Sequence, residues 1–531
     1  MTSFKFLAFI FIFIPIVLLI YHLSPKQLRW IVLLVSSIAF YIVSSGKLIV
    51  YLAVTTLSVY YCGILLDKQN LKMKQMCEGL GRDEKKPVKE KFKKRKNLIT
   101  AAALLVCFGI IAVLKYSAFF NSSLNELFKN IPGLSLPVRR YALPLGISFY
   151  TMMAASYIID VNRGVVDADH HLGRLSLYLC FFPQIMEGPM CRYGETASQL
   201  FEGKDLEYKN IFYGALRILF GMIKRMLVAD RVNNFVGSCF TDYGLNLFDG
   251  GALVIGTLCY TFQLYMDFSG TMDIVIGSAE LFGIILPENF RFPFLSKTIS
   301  EFWTRWHITL GRWFTDYIFY PISMSKPMKK LTSSSRKNLG KHFGPLLTGA
   351  VALICVWLCN GLWHGAGWTF VFFGMFHFVL ILNGNLVEPL LLKFYSATKI
   401  DRNCIVIKIL RILRTFLLVN LGEMFFRCDT VKRGFTMLKK MVTDLRFTSL
   451  ITGKLFNYGL EKADYILLIV FAVFLVVYSL IREKGVDIRD RIYKMSTFKK
   501  ALVFVAMLMI LVVFGGYGSG YTYVEPIYAK F

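Results

Sequence analysis

Two histidines set among aromatic and glycine residues carry the chemistry this chain could perform. His364 stands in NGLWHGAGW (360–368), between two long apolar runs, directly after Trp363 and crowded by Gly361, Gly365 and Gly367. His307 stands in EFWTRWHITLGRWFTDYIFYP (301–321), where helical spacing would put Trp303, Trp306, His307 and Leu310 on one face and bring in Arg305, Arg312 and Asp316. Ionisable groups in such apolar surroundings are costly and mark functional sites. A free imidazole titrates near pH ~6.5, so a neutral ring can take the proton of a hydroxyl and serve as general base in group transfer to an alcohol. A second imidazole could orient the first or donate to a developing oxyanion. The glycines leave room for a donor or a neighbouring helix to approach His364.

Other readings of the same residues stay open at this level. An interfacial aromatic belt with Arg anchors accounts for the Trp and Arg residues of 301–321, though not for His307. His377 also lies in apolar surroundings and is read as a core residue, whereas His22, His170, His171 and His342 lie in or beside polar loops. His307 and His364 lack a convincing third ligand, so no metal is assigned. Asp267 and Asp273 of MDFSGTMDIVIG could serve as ion-site carboxylates in a non-enzymatic transporter of polymer or ions. No nucleophile elbow, HExxH, Walker loop or dinucleotide fingerprint is present. The 11 cysteines are scattered and read as small apolar packing residues.

Helices in a bilayer must position these groups. The chain has 531 residues, is 55% hydrophobic and carries a formal charge of +27. Apolar runs at 5–22, 30–45, 48–66, 98–114, 345–359, 368–383, 464–481 and 501–514 approach the roughly 20 residues that cross a bilayer core as helix. They lack barrel alternation, and only helices and closed barrels satisfy the backbone in lipid. The expected fold is an all-α polytopic membrane protein with roughly 10–13 transmembrane or re-entrant helices around a central tunnel. The first run has no convincing cleavage site and reads as a retained helix. Over 140–330 the apolar runs are short and broken by Gly, Pro and charge. Such segments are tolerated at membrane depth only inside protein or along a cavity, so 140–390 is expected to build a chamber.

The positive charge sits in loops between spans, which points to membrane topology and anionic lipid rather than nucleic acid. Residues 67–97 hold twelve Lys and Arg, and 326–342 hold six with no acid. Both stretches and 482–500 are expected in the cytosol, which leaves the N-terminus and the C-terminal tail outside a plasma or inner membrane. A basic cytosolic face also attracts an anionic donor such as a coenzyme A thioester. The charged, aromatic-poor 67–97 stretch is expected to be flexible. The expected organisation is N-terminal transmembrane helices (1–66), a basic cytosolic loop (67–97), a core with the central chamber (98–430), an amphipathic segment with the last transmembrane helices (431–515) and an extracytoplasmic Tyr-rich tail (516–531).

FWTRWHITLGRWFTDYIFYP and NGLWHGAGWTFVFFGMFH resemble the two signature segments of the membrane-bound O-acyltransferase family. The resemblance is to the branch of alginate O-acetyltransferase-like proteins, which is related to the D-alanyl transferase of teichoic acids. LPLGISFYTMMAASYIIDVNRG (143–164), FFPQIMEGP (181–189), GMIKRMLVAD (221–230), YTFQLYMDFSGTMDIVIGSAELFGIILPENFRFPF (260–294) and GEMFFRCD (422–429) agree with it in order. The resemblance implies that His364 is the catalytic histidine and His307 its assisting partner in a tunnel, with Trp306, Trp363, Asp316 and Asp267 lining it or standing behind. It implies acetyl-CoA or another acyl thioester as donor substrate, no tightly bound cofactor, a polysaccharide acceptor and an extracytoplasmic transferase as partner. PIYAKF (526–531) is similar to a short C-terminal motif of this branch, and the similarity implies Tyr528 as acyl carrier; the sequence departs from that motif at Pro526, Ala529 and Lys530. D-alanyl transfer to teichoic acid is the alternative within the family. Two extra C-terminal spans and the tail in one chain favour the acetyl branch.

Overall fold

The computed structural model describes residues 7–131, 135–517 and 521–524. Tyr528 lies outside the described residues. The described residues form helices joined by turns, with one isolated antiparallel bridge between Phe290 and Trp306 and no strand. Six stretches are long and apolar enough to cross a membrane: Lys26–Cys77, Lys85–Leu127, Lys326–His364, Trp368–Thr398, Lys462–Glu483 and Thr497–Phe514. The apolar helix Phe9–Leu23 is shorter. The architecture is that of an all-α polytopic membrane protein. Between Lys85–Leu127 and Lys326–His364 the helices are shorter, with Gly250–Glu280 the exception, as the Gly- and Pro-broken runs of the sequence suggest.

The described chain falls into two compact units. The first comprises residues up to 215 and 275–287. Its frame is α1 (Arg29–Ser45), α2 (Ile49–Cys77), α3 (Lys85–Ile111) and α4 (Ile147–Arg163). Helices α2, α3 and α4 pack on one another. Gly63 of α2 lets α4 come close, since a Cβ there would stand 3.3 Å from the Tyr157 hydroxyl. The 67–97 stretch is helical on both sides of a turn at 78–84, contrary to the expectation of a flexible segment. Its Lys, Glu, Gln, Leu and Met residues are strong helix formers, and each half continues a helix already held by packing. At the start of α1, Asp205 pairs with Lys26 at 2.6 Å and Arg29 at 2.7 Å. Hydrogen bonds from Lys26 and then Arg29 hold its carboxyl below the usual carboxylate range.

The second unit comprises residues 216–274 and the described residues from 288 onward. It contains most of α5 (Gly250–Glu280), then α6 (Ile299–Arg305), α7 (Ile308–Phe314), α8 (Lys326–His364), α9 (Trp368–Thr398), α10 (Ile405–Arg427), α11 (Lys462–Glu483) and α12 (Thr497–Phe514). The chain doubles back inside α8. Gly340 takes φ 79, and Thr332 donates its hydroxyl to Thr348 at 3.0 Å across the turn. A Cβ on Gly344 would fall 2.7 Å from the Arg336 backbone. The basic residues 326–337 thus form the first arm, and the apolar second arm ends at His364.

Candidate active site

The segment around His307 departs from the single helix that its spacing suggests. Helix α6 ends at Arg305, Trp306 is extended, and His307 adopts the left-handed conformation with φ 47 before α7 begins. A non-glycine residue in that region costs free energy and is retained only where neighbours dictate it. The neighbours here are residues 289–291. The Arg291 N–H donates to the Arg305 carbonyl at 2.9 Å, and the Ile308 N–H donates to the Asn289 carbonyl at 3.0 Å. Helical periodicity within 301–321 therefore loses to pairing with a distant segment.

Asn289 fixes the state of the His307 ring. The Asn289 side-chain oxygen accepts from the Thr309 N–H at 3.1 Å and from the Thr309 hydroxyl at 3.0 Å. A backbone N–H is donor only, so the contacted atom is the carbonyl oxygen, and the His307 Nδ1 that lies 3.3 Å from it must carry a hydrogen. The neutral ring then has its lone pair on Nε2. Phe268 and Trp363 pack edge-on against this ring, with centroids at 4.8 and 5.4 Å. His307 is 2% exposed.

His364 belongs to the same cluster of rings. It is the last residue of α8, where unsatisfied helix carbonyls favour a positive charge such as the imidazolium formed when a base takes a proton. Its ring contacts Trp363 at 5.1 Å, Phe426 at 5.3 Å and Phe373 at 5.8 Å. Trp363 is therefore the ring shared by the two histidines. The nearby glycines serve helix packing. The space where Cβ atoms of Gly361 and Gly365 would stand is taken by Phe370 of α9, and that of Gly374 by the Trp357 carbonyl.

His377 belongs to the same aromatic layer but is wired differently. Trp303 donates its indole N–H to His377 Nδ1 at 3.2 Å, and the rings of Trp357, Phe373 and Trp303 surround the imidazole. Among the described residues the buried Nε2 atom has no hydrogen-bond partner, and a Cβ on Gly422 of α10 would lie 2.7 Å from it.

The remaining expected residues stand further out. Trp306 is buried against Phe290 at 5.0 Å, and Phe290 meets Phe268 at 4.9 Å, which places Trp306 two rings from His307. Asp316 is half-buried in the π-helical turn Thr315–Phe319. Asp267 is buried and pairs with Arg225 at 3.0 Å, next to the Phe268 that supports His307. Asp273 pairs with Lys224 at 2.6 Å and Arg217 at 3.0 Å. Both carboxylates are thus held by cations from 217–225. Gly221 and Gly270 allow this contact: a Cβ on Gly270 would stand 2.8 Å from the Gly221 carbonyl.

Sequence reasoning missed two supports of the site. One is Asn289, inside the PENF segment, which nothing local distinguishes from a turn residue. The other is a buried polar cluster joining α10 to α5. Thr261 donates to Glu423 at 2.5 Å, and Asn420 donates to the Thr261 hydroxyl and the Thr257 carbonyl, each at 2.8 Å. Glu423 lies one turn before Phe426, whose ring packs on His364. The residues before the tail's end are also anchored here: the Val524 N–H donates to Asp230 at 2.8 Å, and its carbonyl accepts from Arg225 at 2.9 Å.

The membrane-bound O-acyltransferase family model matches residues 161–335, a range that includes His307 and ends before His364. The chain is 30% identical over 434 residues to a probable alginate O-acetylase AlgI of Azotobacter vinelandii, covering 82% of this chain and 77% of that protein. It is 28% identical over 378 residues to a peptidoglycan O-acetyltransferase of Helicobacter pylori, covering 65% of each. It is 28% identical over 247 residues to a teichoic acid D-alanyltransferase of Bacillus subtilis, covering 46% of this chain and 59% of that protein.

Proposed function

This chain belongs to the membrane-bound O-acyltransferase family, and from that premise we propose that it is an O-acetyltransferase serving an extracytoplasmic polysaccharide. The donor in this reading is a cytosolic acyl thioester, acetyl-CoA in the first instance. His364 takes the proton of the acceptor hydroxyl while that oxygen attacks the thioester carbonyl. The carbon–sulfur bond breaks, and the proton passes from His364 to the departing thiolate. His307 assists as a neutral ring, held by Asn289 in the tautomer whose lone pair is on Nε2. The observation that carries the proposal is the convergence of His307 and His364 on the Trp363 ring in a buried aromatic site.

Tyr528 is the proposed first acceptor, with an extracytoplasmic transferase taking the acyl group onward. The anchoring of Val524 by Asp230 and Arg225 supports a tail that works with the core. Both termini are proposed to be extracytoplasmic. The alternative is D-alanyl transfer, favoured by the similarity to the Bacillus subtilis protein. Mass spectrometry of the C-terminal peptide separates these readings. An acetyl adduct on Tyr528 that disappears in His364→Ala supports the proposal. A D-alanyl adduct transfers the assignment to the alternative, and an unmodified Tyr528 in an active protein removes the carrier role.

A further inference from the structure

The first unit holds a cavity of about 340 Å³ whose lining is basic. Its polar lining consists of Lys89, Lys93, Lys96, Asn97, Asn162 and Arg163. Met73 and Ile159 complete the wall, and no carboxylate lines it. Lys89, Lys93 and Lys96 follow one another at helical spacing, which brings three ammonium groups to one face of α3. Lys96 is only 9% exposed. None of the three is ion-paired within the described residues. Lys89 and Lys93 are exposed beside the buried Lys96, and like charges brought together on one face repel one another, so the arrangement favours the entry of an anion.

The cavity sits where α3 changes character. Residues up to Asn97 are mostly charged, and Leu98 and Leu105 beyond it are 73% and 75% exposed, as expected of side chains that face lipid. The same boundary lies on α2, whose apolar run ends at Leu66 before Met73 is reached. The cavity therefore lies at the depth of lipid headgroups. Two apolar walls beside four cations suit a phosphodiester that continues into glycerol and acyl chains better than a fully hydrated free phosphate. We propose that this cavity binds the phosphate headgroup of an anionic phospholipid.

The test uses the full-length protein in detergent micelles and a phosphatidylglycerol probe with a fluorescent acyl chain. Saturable binding is expected that phosphatidylcholine does not displace. Lys89→Gln, Lys93→Gln and Lys96→Gln combined should weaken it about tenfold or more. Replacing Lys85, Lys91 and Lys94 by Gln removes the same charge outside the cavity and should weaken it less than about threefold. The combined Lys→Arg variant at 89, 93 and 96 should bind like the parent, which separates loss of charge from loss of fold. Equal weakening by the two Gln sets would overturn the proposal in favour of diffuse surface charge. Displacement of the lipid by inorganic phosphate or free coenzyme A would overturn it in favour of a soluble phosphate ligand.

Discussion

His307 and His377 look alike at low magnification. Both are buried in aromatic rings within the second unit, and each makes a hydrogen bond through Nδ1. The partners differ in kind. Asn289 offers His307 an acceptor, so the ring carries its hydrogen on Nδ1 and its lone pair on Nε2. Trp303 offers His377 a donor, so the neutral ring carries its hydrogen on Nε2. His307 keeps a lone pair on its far nitrogen. The His377 ring is filled there and closed off by Gly422. Burial and aromatic company alone do not decide which ring nitrogen keeps a lone pair; the group on the opposite nitrogen does.

The comparison can be broken by substitution, starting with the proposed base beside His307. His364→Ala should lower acyl transfer by about 10²–10⁴-fold at unchanged protein level, measured as acetyl release from labelled donor. Retained activity would remove the proposed mechanism. His307→Gln should cost roughly 10²-fold in kcat, in line with loss of one preorganised polar group. Asn289→Leu should cost about tenfold in kcat through loss of ring orientation, and about 1–3 kcal/mol in stability because three donors lose one acceptor.

The His377 side should respond in the opposite sense. Gly422→Ala forces a Cβ against His377 Nε2 and should destabilise the protein by about 1–3 kcal/mol, read as a lower melting temperature. Trp303→Phe should cost about 1 kcal/mol in stability and leave kcat within about threefold. If Trp303→Phe lowers kcat as much as His307→Gln does, the two histidines are not functionally distinct. The smallest effect is expected in the first unit. The folded-state pKa of Asp205 is depressed, so its contribution to stability is present above the ordinary carboxylate range and is lost as pH falls through the folded value. Asp205→Asn should therefore lower the melting temperature slightly at pH ~7, and the difference from the parent should shrink as pH falls through the folded value of Asp205.

Much of the fold was legible in the residue string. Long apolar runs without alternation require helices in lipid, because the bilayer offers no hydrogen bond to an unpaired backbone group. The TRWH and GLWHGAG segments singled out His307 and His364, and the ring contacts of Trp363 join them. Two local expectations failed for identifiable reasons. The 67–97 stretch read as flexible from its charge, yet helix propensity and the packed halves of α2 and α3 extend into it. Helical spacing in 301–321 would put Trp303, Trp306, His307 and Leu310 on one face, yet pairing with 289–291 breaks the helix at Trp306 and His307.

Composition and periodicity by themselves determined a helical membrane protein, and the spacing of aromatic, glycine and histidine residues pointed to the site. These properties are local: each residue contributes its hydropathy and its preferred period wherever the rest of the chain lies. Tertiary structure alone decided the left-handed turn at His307, the nitrogen that bears its hydrogen and the opposite choice at His377. Those outcomes depend on Asn289 and Trp303, residues 18 and 74 positions away from the rings they bind. A hydrogen bond depends on distance and direction in space, and no pattern along the chain encodes either.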